Sequence, residues 1–254
     1  MVLRRSAPIT VNAPPSDAQP SDALPSATAV RDLFDRIAPV YDTINAQLSG
    51  GLHRVWKRMA ITWSQAQPGQ TCLDLCCGSG DLALLLAERV GPTGQVYGLD
   101  FAVAQLAIAQ QRAANHWPPL DIQWLEGDAL DLPFAAATFD AATMGYGLRN
   151  LTDIPQGLRE LHRVLKPGAT AAILDFHQPQ QPWMQGFQQW YLDQVVVPTA
   201  TRHGLTAEYA YIAPSLERFP NGVKQVEIAH QVGFEQAIHY PVAGGLMGVL
   251  VVTR

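Results

Sequence analysis

The chain has 254 residues, of which 48% are apolar and 15% charged, with a net charge of −5. Such a length and apolar content suit one domain with a large core that needs no disulfide or metal staple. The negative balance speaks against a protein that grips nucleic acid through a basic face, and no apolar run approaches the length that crosses a bilayer.

Residues 1–28 are rich in Pro, Ser and Ala and contain the quasi-repeat "SDAQPSDALPS". They are expected to form a disordered tail, because they hold too little apolar surface to offset their chain entropy. The basic start never develops a secretory apolar region, and Asp17 and Asp22 weaken a transit-peptide reading. From Val30 the text changes, and Leu33, Phe34, Ile37, Tyr41, Ile44 and Leu48 recur at helical spacing. Pro39 should break or kink that helix, and Gly50-Gly51 separates it from a second one.

Strand and helix patterns then alternate. "TCLDLC", "QVYGLD", "DIQWLEGD", "FDAATMGY" and "ATAAILDF" read as five strands, separated by the helices "DLALLLAERV", "AVAQLAIAQQRAA" and "DIPQGLRELHRVL". The "KPG" after the last of these helices reads as a tight turn. Residues 182–198 should form an amphipathic helix, followed by helix "GVKQVEIAHQV" and the strands "FEQAIHYPV" and "LMGVLVVTR". Few residues join those two strands, so they should pair as an antiparallel hairpin. The alternation predicts an α/β fold with a doubly wound, mostly parallel sheet and helices on both faces. An antiparallel end departs from the plain dinucleotide fold.

The chemistry concentrates in "LDLCCGSGDLA", residues 73–83. Gly78, Ser79 and Gly80 open a loose G-x-G-x-x-G/A turn, and Asp100 lies where a ribose-binding acid belongs. That much fits NAD equally well. Asp74 discriminates, because a carboxylate ~4 Å from a pyrophosphate would cost roughly 4 kcal/mol at an effective dielectric near 20. Beside the ammonium and sulfonium of S-adenosylmethionine the same charge attracts. Asp100 can take both ribose hydroxyls, Asp128 the adenine amino group and the Ala129 amide the ring. Singly, each acid could be a helix cap or a solvated loop residue. Cys72, Cys76 and Cys77 are read as small reduced packing residues of a cytosolic-type protein, since neighbours make poor disulfides and no second Cys/His pair has zinc spacing. No metal is expected.

"LDLCCGSGDLA", "VYGLD", "GDALDLPF" and "LKPG" resemble the motifs of class I S-adenosylmethionine-dependent methyltransferases, in which the first motif often carries glycine where Cys76 stands. "FDRIAPVYDTINAQLSGGLHRVWKR", "GYGLRNLTD" and "SLERFPNGV" resemble the C-methyltransferases of ubiquinone and menaquinone biosynthesis across residues 31–254. Within that family, "LDLCCGSGDLA" and "SLERFPNG" are most similar to the branch acting on 2-phytyl-1,4-naphthoquinone in cyanobacteria and plastids.

The resemblance implies a seven-stranded Rossmann-like sheet whose last strand is antiparallel, an N-terminal helical lid over residues 29–66 and a substrate-covering insertion over 182–222. It implies methyl transfer from S-adenosylmethionine to a ring carbon of a prenylated quinol, with other quinol, phenol or sterol acceptors as alternatives. Beyond the acids and the glycine turn, Phe101, Met144, Gly145 and Tyr41 are expected near the donor. Arg149 and Asn150 are placed to hydrogen-bond the ring oxygen. Arginine is a donor only, so Arg149 is assigned phenolate stabilisation or relay through water. His177 is the candidate base, set against an ordinary loop histidine. Tyr146, Trp183, Phe187, Trp190 and Tyr209 are candidates for the acceptor and its tail, with core packing the plainer role for the aromatic stripe. The expected partners are a lipid-tailed quinol and no nucleic acid. Expected surroundings are the cytoplasm, at the surface of a thylakoid or plasma membrane; a homodimer is left open. An NAD-dependent reductase, which should carry a Tyr-x-x-x-Lys pair, and a non-catalytic module are the competing classes.

Overall fold

The computed structural model describes residues 27–38, 48–179, 181–202, 205 and 212–254. Tyr41, Tyr209 and almost all of the predicted tail lie outside the described residues. Helix α1 (Ala27–Ile37) starts two residues inside that tail and ends just before Pro39. Helix α2 (His53–Trp63) follows Gly50-Gly51. The alternating segment then forms β1 (Thr71–Leu75), α3 (Asp81–Val90), β2 (Gln95–Asp100), α4 (Val103–Ala114), β3 (Ile122–Glu126), β4 (Phe139–Gly145), α5 (Ile154–Val164) and β5 (Leu165–Phe176). Beyond it lie α6 (Pro182–Tyr191), α7 (Val197–Thr201), α8 (Ile212–Arg218), α9 (Gly222–Gln231), β6 (Gln236–Val242) and β7 (Met247–Thr253), with a π turn over Leu192–Val196 joining α6 to α7.

The strands form one sheet in the order β3-β2-β1-β4-β5-β7-β6. All neighbouring pairs from β3 to β5 are parallel, while β7 runs antiparallel to β5 and to β6. The seven-stranded class I arrangement is therefore present. The order reverses between β1 and β4, which opens a crevice at their carboxyl ends.

Strand alternation decides what faces that crevice. Leu73 and Leu75 point to the face covered by Leu158, Leu161 and Phe234. Cys72 points to the opposite face, beneath Ile61 of α2 and Leu86 of α3. Asp74, two residues on from Cys72, shares that second face. Two side chains cap helices: Asp153 accepts from the Gln156 amide at 2.9 Å, and Asn221 from that of Lys224 at 3.0 Å. The "PNG" of the "SLERFPNG" motif is thus the start of α9.

The "KPG" turn differs from expectation. Leu165 already pairs with Phe139, and the ladder resumes at Thr170 opposite Ala141. Residues 166–168 bulge out of β5 instead of preceding it, with Gly168 at φ 76° and Lys166 bound to Asp140 at 2.6 Å. A glycine supplies the left-handed residue such a bulge requires.

Candidate active site

A cavity of about 560 Å³ lies over the carboxyl ends of β1 to β4, within the range of small-molecule sites. Asp74, Asp100 and Asp128 line it together, as do Cys76, Gly78, Ser79, Phe101, Ala129, Gly145, Tyr146 and Asn150. The predicted row of acids along one sheet edge is real.

Asp74 is 1% exposed. Its Oδ1 accepts from Thr143 Oγ1 at 2.8 Å, whereas Oδ2 is buried without a partner. Burial pushes its pKa up to about 7, opposed by the Thr143 hydrogen bond, the Ala83 amide and the charge of Lys57. A buried carboxylate oxygen left open is costly and marks a place built for a donor or cation. Asp100 has a second task that the sequence did not reveal. Its Oδ2 accepts from the Gly78 amide at 2.7 Å and its Oδ1 from the Ala102 amide at 2.9 Å, so it anchors the glycine turn. Burial raises its pKa despite those bonds. A carboxylate offers about four lone-pair sites, which leaves room for two hydroxyls as well. Asp128 accepts from the Leu130 amide at 2.9 Å, which turns the chain so that Ala129 lines the cavity.

The turn itself is tightly set. Gly80 has φ 88°, and a side chain there would meet Trp124 at 2.8 Å and Ala109 at 3.0 Å. Cys76, standing where relatives of this motif often carry glycine, has φ 55°. A non-glycine residue in that region costs about 1–2 kcal/mol. Its side chain fits because Gly147 opposite has none: a Cβ on Gly147 would sit 2.6 Å from that of Cys76. Cys72, Cys76 and Cys77 are all free, and burial pushes all three thiols up, Cys72 to about 12.

A half-buried charge cluster at the same end escaped the sequence reading. Asp81, at the start of α3, pairs with Lys57 of α2 and, at 2.5 Å, with Arg112 of α4. Its pKa falls to about 2: the two cations outweigh the cost of burial. Arg112 also donates to the Ser79 carbonyl at 2.9 Å. Lys57 is 7% exposed, lines the cavity and lies 5.7 Å from the centre of the Tyr146 ring. Two cations thus meet Asp81, and Lys57 is near enough to Asp74 to favour its charged form. On the other side Thr28 and Arg31 of α1 line the cavity, and Arg31 binds Glu126 at 2.7 Å.

Three predicted site residues sit elsewhere. Met144 is fully buried in the core beneath the cavity, because its side chain points away from the edge where Gly145 lies. Arg149 does not line the cavity. Its guanidinium pairs with Asp175 at 3.0 Å, both side chains are under 10% exposed, and it also donates to the Tyr146 carbonyl at 2.8 Å. Asn150 does line the cavity: its Nδ2 donates to that same carbonyl at 2.9 Å, and its buried Oδ1 has no partner. His177 is buried in a different cavity, against His239 at 4.7 Å between ring centres and beside Gly222 and Val242. Burial lowers the pKa of both histidines, that of His239 to about 4.

The aromatic stripe also departs from expectation. Trp183, Phe187 and Trp190 are 69%, 43% and 54% exposed, so they form neither core nor a wall of the described cavity.

The model of the ubiE/COQ5 methyltransferase family matches residues 23–253. The chain belongs to that family. The methyltransferase is 64% identical over 225 residues to the "2-phytyl-1,4-naphtoquinone methyltransferase" of Trichormus variabilis, an alignment covering 89% of this chain and 98% of the relative. It is 50% identical over 226 residues to the chloroplastic "2-phytyl-1,4-beta-naphthoquinone methyltransferase" of Arabidopsis thaliana, covering 88% and 87%. Among solved structures, a SAM-dependent methyltransferase from Aquifex aeolicus superposes with a TM-score of 0.57 at 18% identity, over 78% of this chain and 88% of the other. That likeness carries the fold.

Proposed function

We propose that this methyltransferase moves the methyl group of S-adenosylmethionine to a ring carbon of reduced 2-phytyl-1,4-naphthoquinone. The observation that carries the acceptor is end-to-end identity with relatives of that printed name, from 50% to 64% across most of both chains. The fit of the donor rests on the cavity itself. An aminoacyl group is a zwitterion, and the cavity offers it a buried carboxylate oxygen on Asp74 and, nearby, the Lys57 ammonium that also pairs with Asp81.

When bound, the donor supplies a methyl group on a sulfonium. The residues of the chain do the rest by placement. Asp74 would take the ammonium and Lys57 the carboxylate, Asp100 the ribose hydroxyls, and Asp128 with the Ala129 amide the adenine. Asn150 Oδ1 would accept the hydroxyl proton of the quinol, holding its oxygen while the ring carbon faces the methyl. Arg149 acts one layer back as a positioning residue: with Asp175 it fixes the Tyr146 carbonyl that also orients Asn150. No strong base is invoked, and most of the rate comes from orientation. The methyl–carbon bond would form as the methyl–sulfonium bond breaks, leaving S-adenosylhomocysteine; water takes the quinol hydroxyl proton, and the hydrogen of the attacked carbon then moves, through water, to that oxygen as the aromatic ring is restored.

Incubating the enzyme with labelled S-adenosylmethionine and a panel of reduced demethylnaphthoquinones and demethoxyquinones tests the acceptor, with mass spectrometry locating the new methyl. Preferred methylation of a ring other than the naphthoquinol would overturn it. The zwitterion fit makes a sharper expectation. Lys57→Met should weaken S-adenosylmethionine by about ten- to a hundredfold, the worth of a charge-assisted hydrogen bond. It should barely change the affinity of 5′-methylthioadenosine, which lacks the aminoacyl group. Equal losses for both ligands in calorimetry would assign Lys57 to the framework alone.

A further inference from the structure

Helix α6 is built inside out. Its inward positions are Met184, Gln188 and Tyr191, none of them exposed, while Trp183, Phe187 and Trp190 point outward. The Gln188 side chain donates to the His177 carbonyl at 2.9 Å, Gln185 to that of Pro179 at 2.8 Å, and Met184 rests on Gly244 of the β6–β7 turn. The helix is therefore held by polar bonds and one thioether, and it has no buried residue. A helix seated only on its core would be expected to place its aromatics the other way round.

The outward aromatics are also organised. Phe187 stacks on Trp190 at 5.8 Å and on Tyr191 at 6.3 Å. The Tyr191 hydroxyl donates to the Leu48 carbonyl, which ties the helix to the turn that leads into α2. At that end of α2, Leu52 and Val55 are 53% and 50% exposed, interleaved with exposed Arg54 and Arg58. The charge pattern is uneven as well. No Asp, Glu, Lys or Arg stands between Asp175 and Asp193, and no acid stands between Asp42 and Asp74 although the whole chain is acidic.

We infer that the outer face of α6, with the neighbouring start of α2, is a docking surface for the headgroup region of an anionic lipid bilayer. Tryptophan and phenylalanine on an uncharged, glutamine-rich helix suit the boundary between headgroups and acyl chains. Arg54 and Arg58 lie where they meet anionic headgroups, each charge worth about fivefold in partitioning. The helix lies along the surface, since no helix among the described residues is long and apolar enough to cross a membrane. The surface deepens the acceptor reading, because a phytyl-tailed quinol resides in such a bilayer. The test contains no quinone, so the two readings fail separately.

Flotation of the full chain with vesicles of phosphatidylcholine, with and without phosphatidylglycerol, decides it. Wild type should float with the anionic vesicles, and W183Q/F187Q/W190Q should lose roughly tenfold or more of that binding. R54E/R58E should lose the preference for phosphatidylglycerol. Thermal melting and S-adenosylhomocysteine affinity of both variants check the fold. Hydrogen exchange on wild type needs no variant: amides of residues 182–192 should gain protection on anionic vesicles. Absence of flotation, unchanged flotation of the triple variant, or unaltered exchange over that segment would overturn the inference. So would a wild-type dimer that the triple variant dissociates without any vesicle binding, since the face would then belong to a second copy.

Discussion

Asp74→Asn should weaken S-adenosylmethionine by about a hundredfold, through loss of a charge-assisted hydrogen bond and of the attraction to a cation. Its pH dependence carries the argument further. In the ligand-free protein the Asp74 pKa stands at about 7 against an ordinary 3.8, because burial disfavours its charge. A cationic donor needs the ionised form, so affinity in the wild type should fall as pH drops through that value. Stability runs the opposite way. Between 3.8 and about 7 the folded protein holds a proton that the unfolded chain has released. Stability of the ligand-free enzyme therefore declines as pH rises through that window. Asp74→Asn removes the binding slope and lessens the stability slope, leaving the part that comes from Asp100, whose pKa burial also raises. Calorimetry and thermal melts over about pH 5 to 8 read them, and a variant that binds the donor within a few-fold of wild type would refute the role given to this carboxylate.

The second large effect is expected at the Arg149–Asp175 pair. Asp175→Ala leaves a guanidinium buried without its partner and should cost about 3–5 kcal/mol of stability. The same change loosens the guanidinium that donates to the Tyr146 carbonyl, the group Asn150 also binds, and kcat should fall by about a hundredfold because the acceptor loses its orientation. R149M/D175L replaces both charges by apolar groups and should regain most of the stability but little of the rate. Recovery of both would make the pair a framework element only. His177 supplies the contrast: a general base is worth about 10² to 10⁴ in rate, so His177→Ala with kcat within about tenfold of wild type removes it from the chemistry. A loss at His177 larger than that at Arg149 would reverse the assignment.

What local pattern controls was legible. Two-residue and 3.6-residue periods, with a break at Gly50-Gly51, placed the strands other than β5 and the helices α3, α4, α5 and α9 within about two residues, because each depends on neighbours in the chain. The acids Asp74, Asp100 and Asp128 could be put on one edge because each ends or closely follows a strand of a parallel sheet. One exception was β5, whose first residue pairs with Phe139 across a bulge that only the partner strand reveals. Others were the helix expected over 182–198, which runs to Thr201 through a π turn, and α8, which had no counterpart among the expected elements.

The amino-acid order by itself thus determined the layered sheet, the glycine turn and the negative edge, all consequences of short-range periodicity and charge sign. Tertiary packing decided which side chains meet: Asp175 with Arg149, Lys57 and Arg112 with Asp81, Gly147 with Cys76, and aromatics turned outward on α6. Those side-chain pairings join residues 24 to 71 positions apart in the chain. Their strength comes from shared burial and removal of water, which no window along the chain can express.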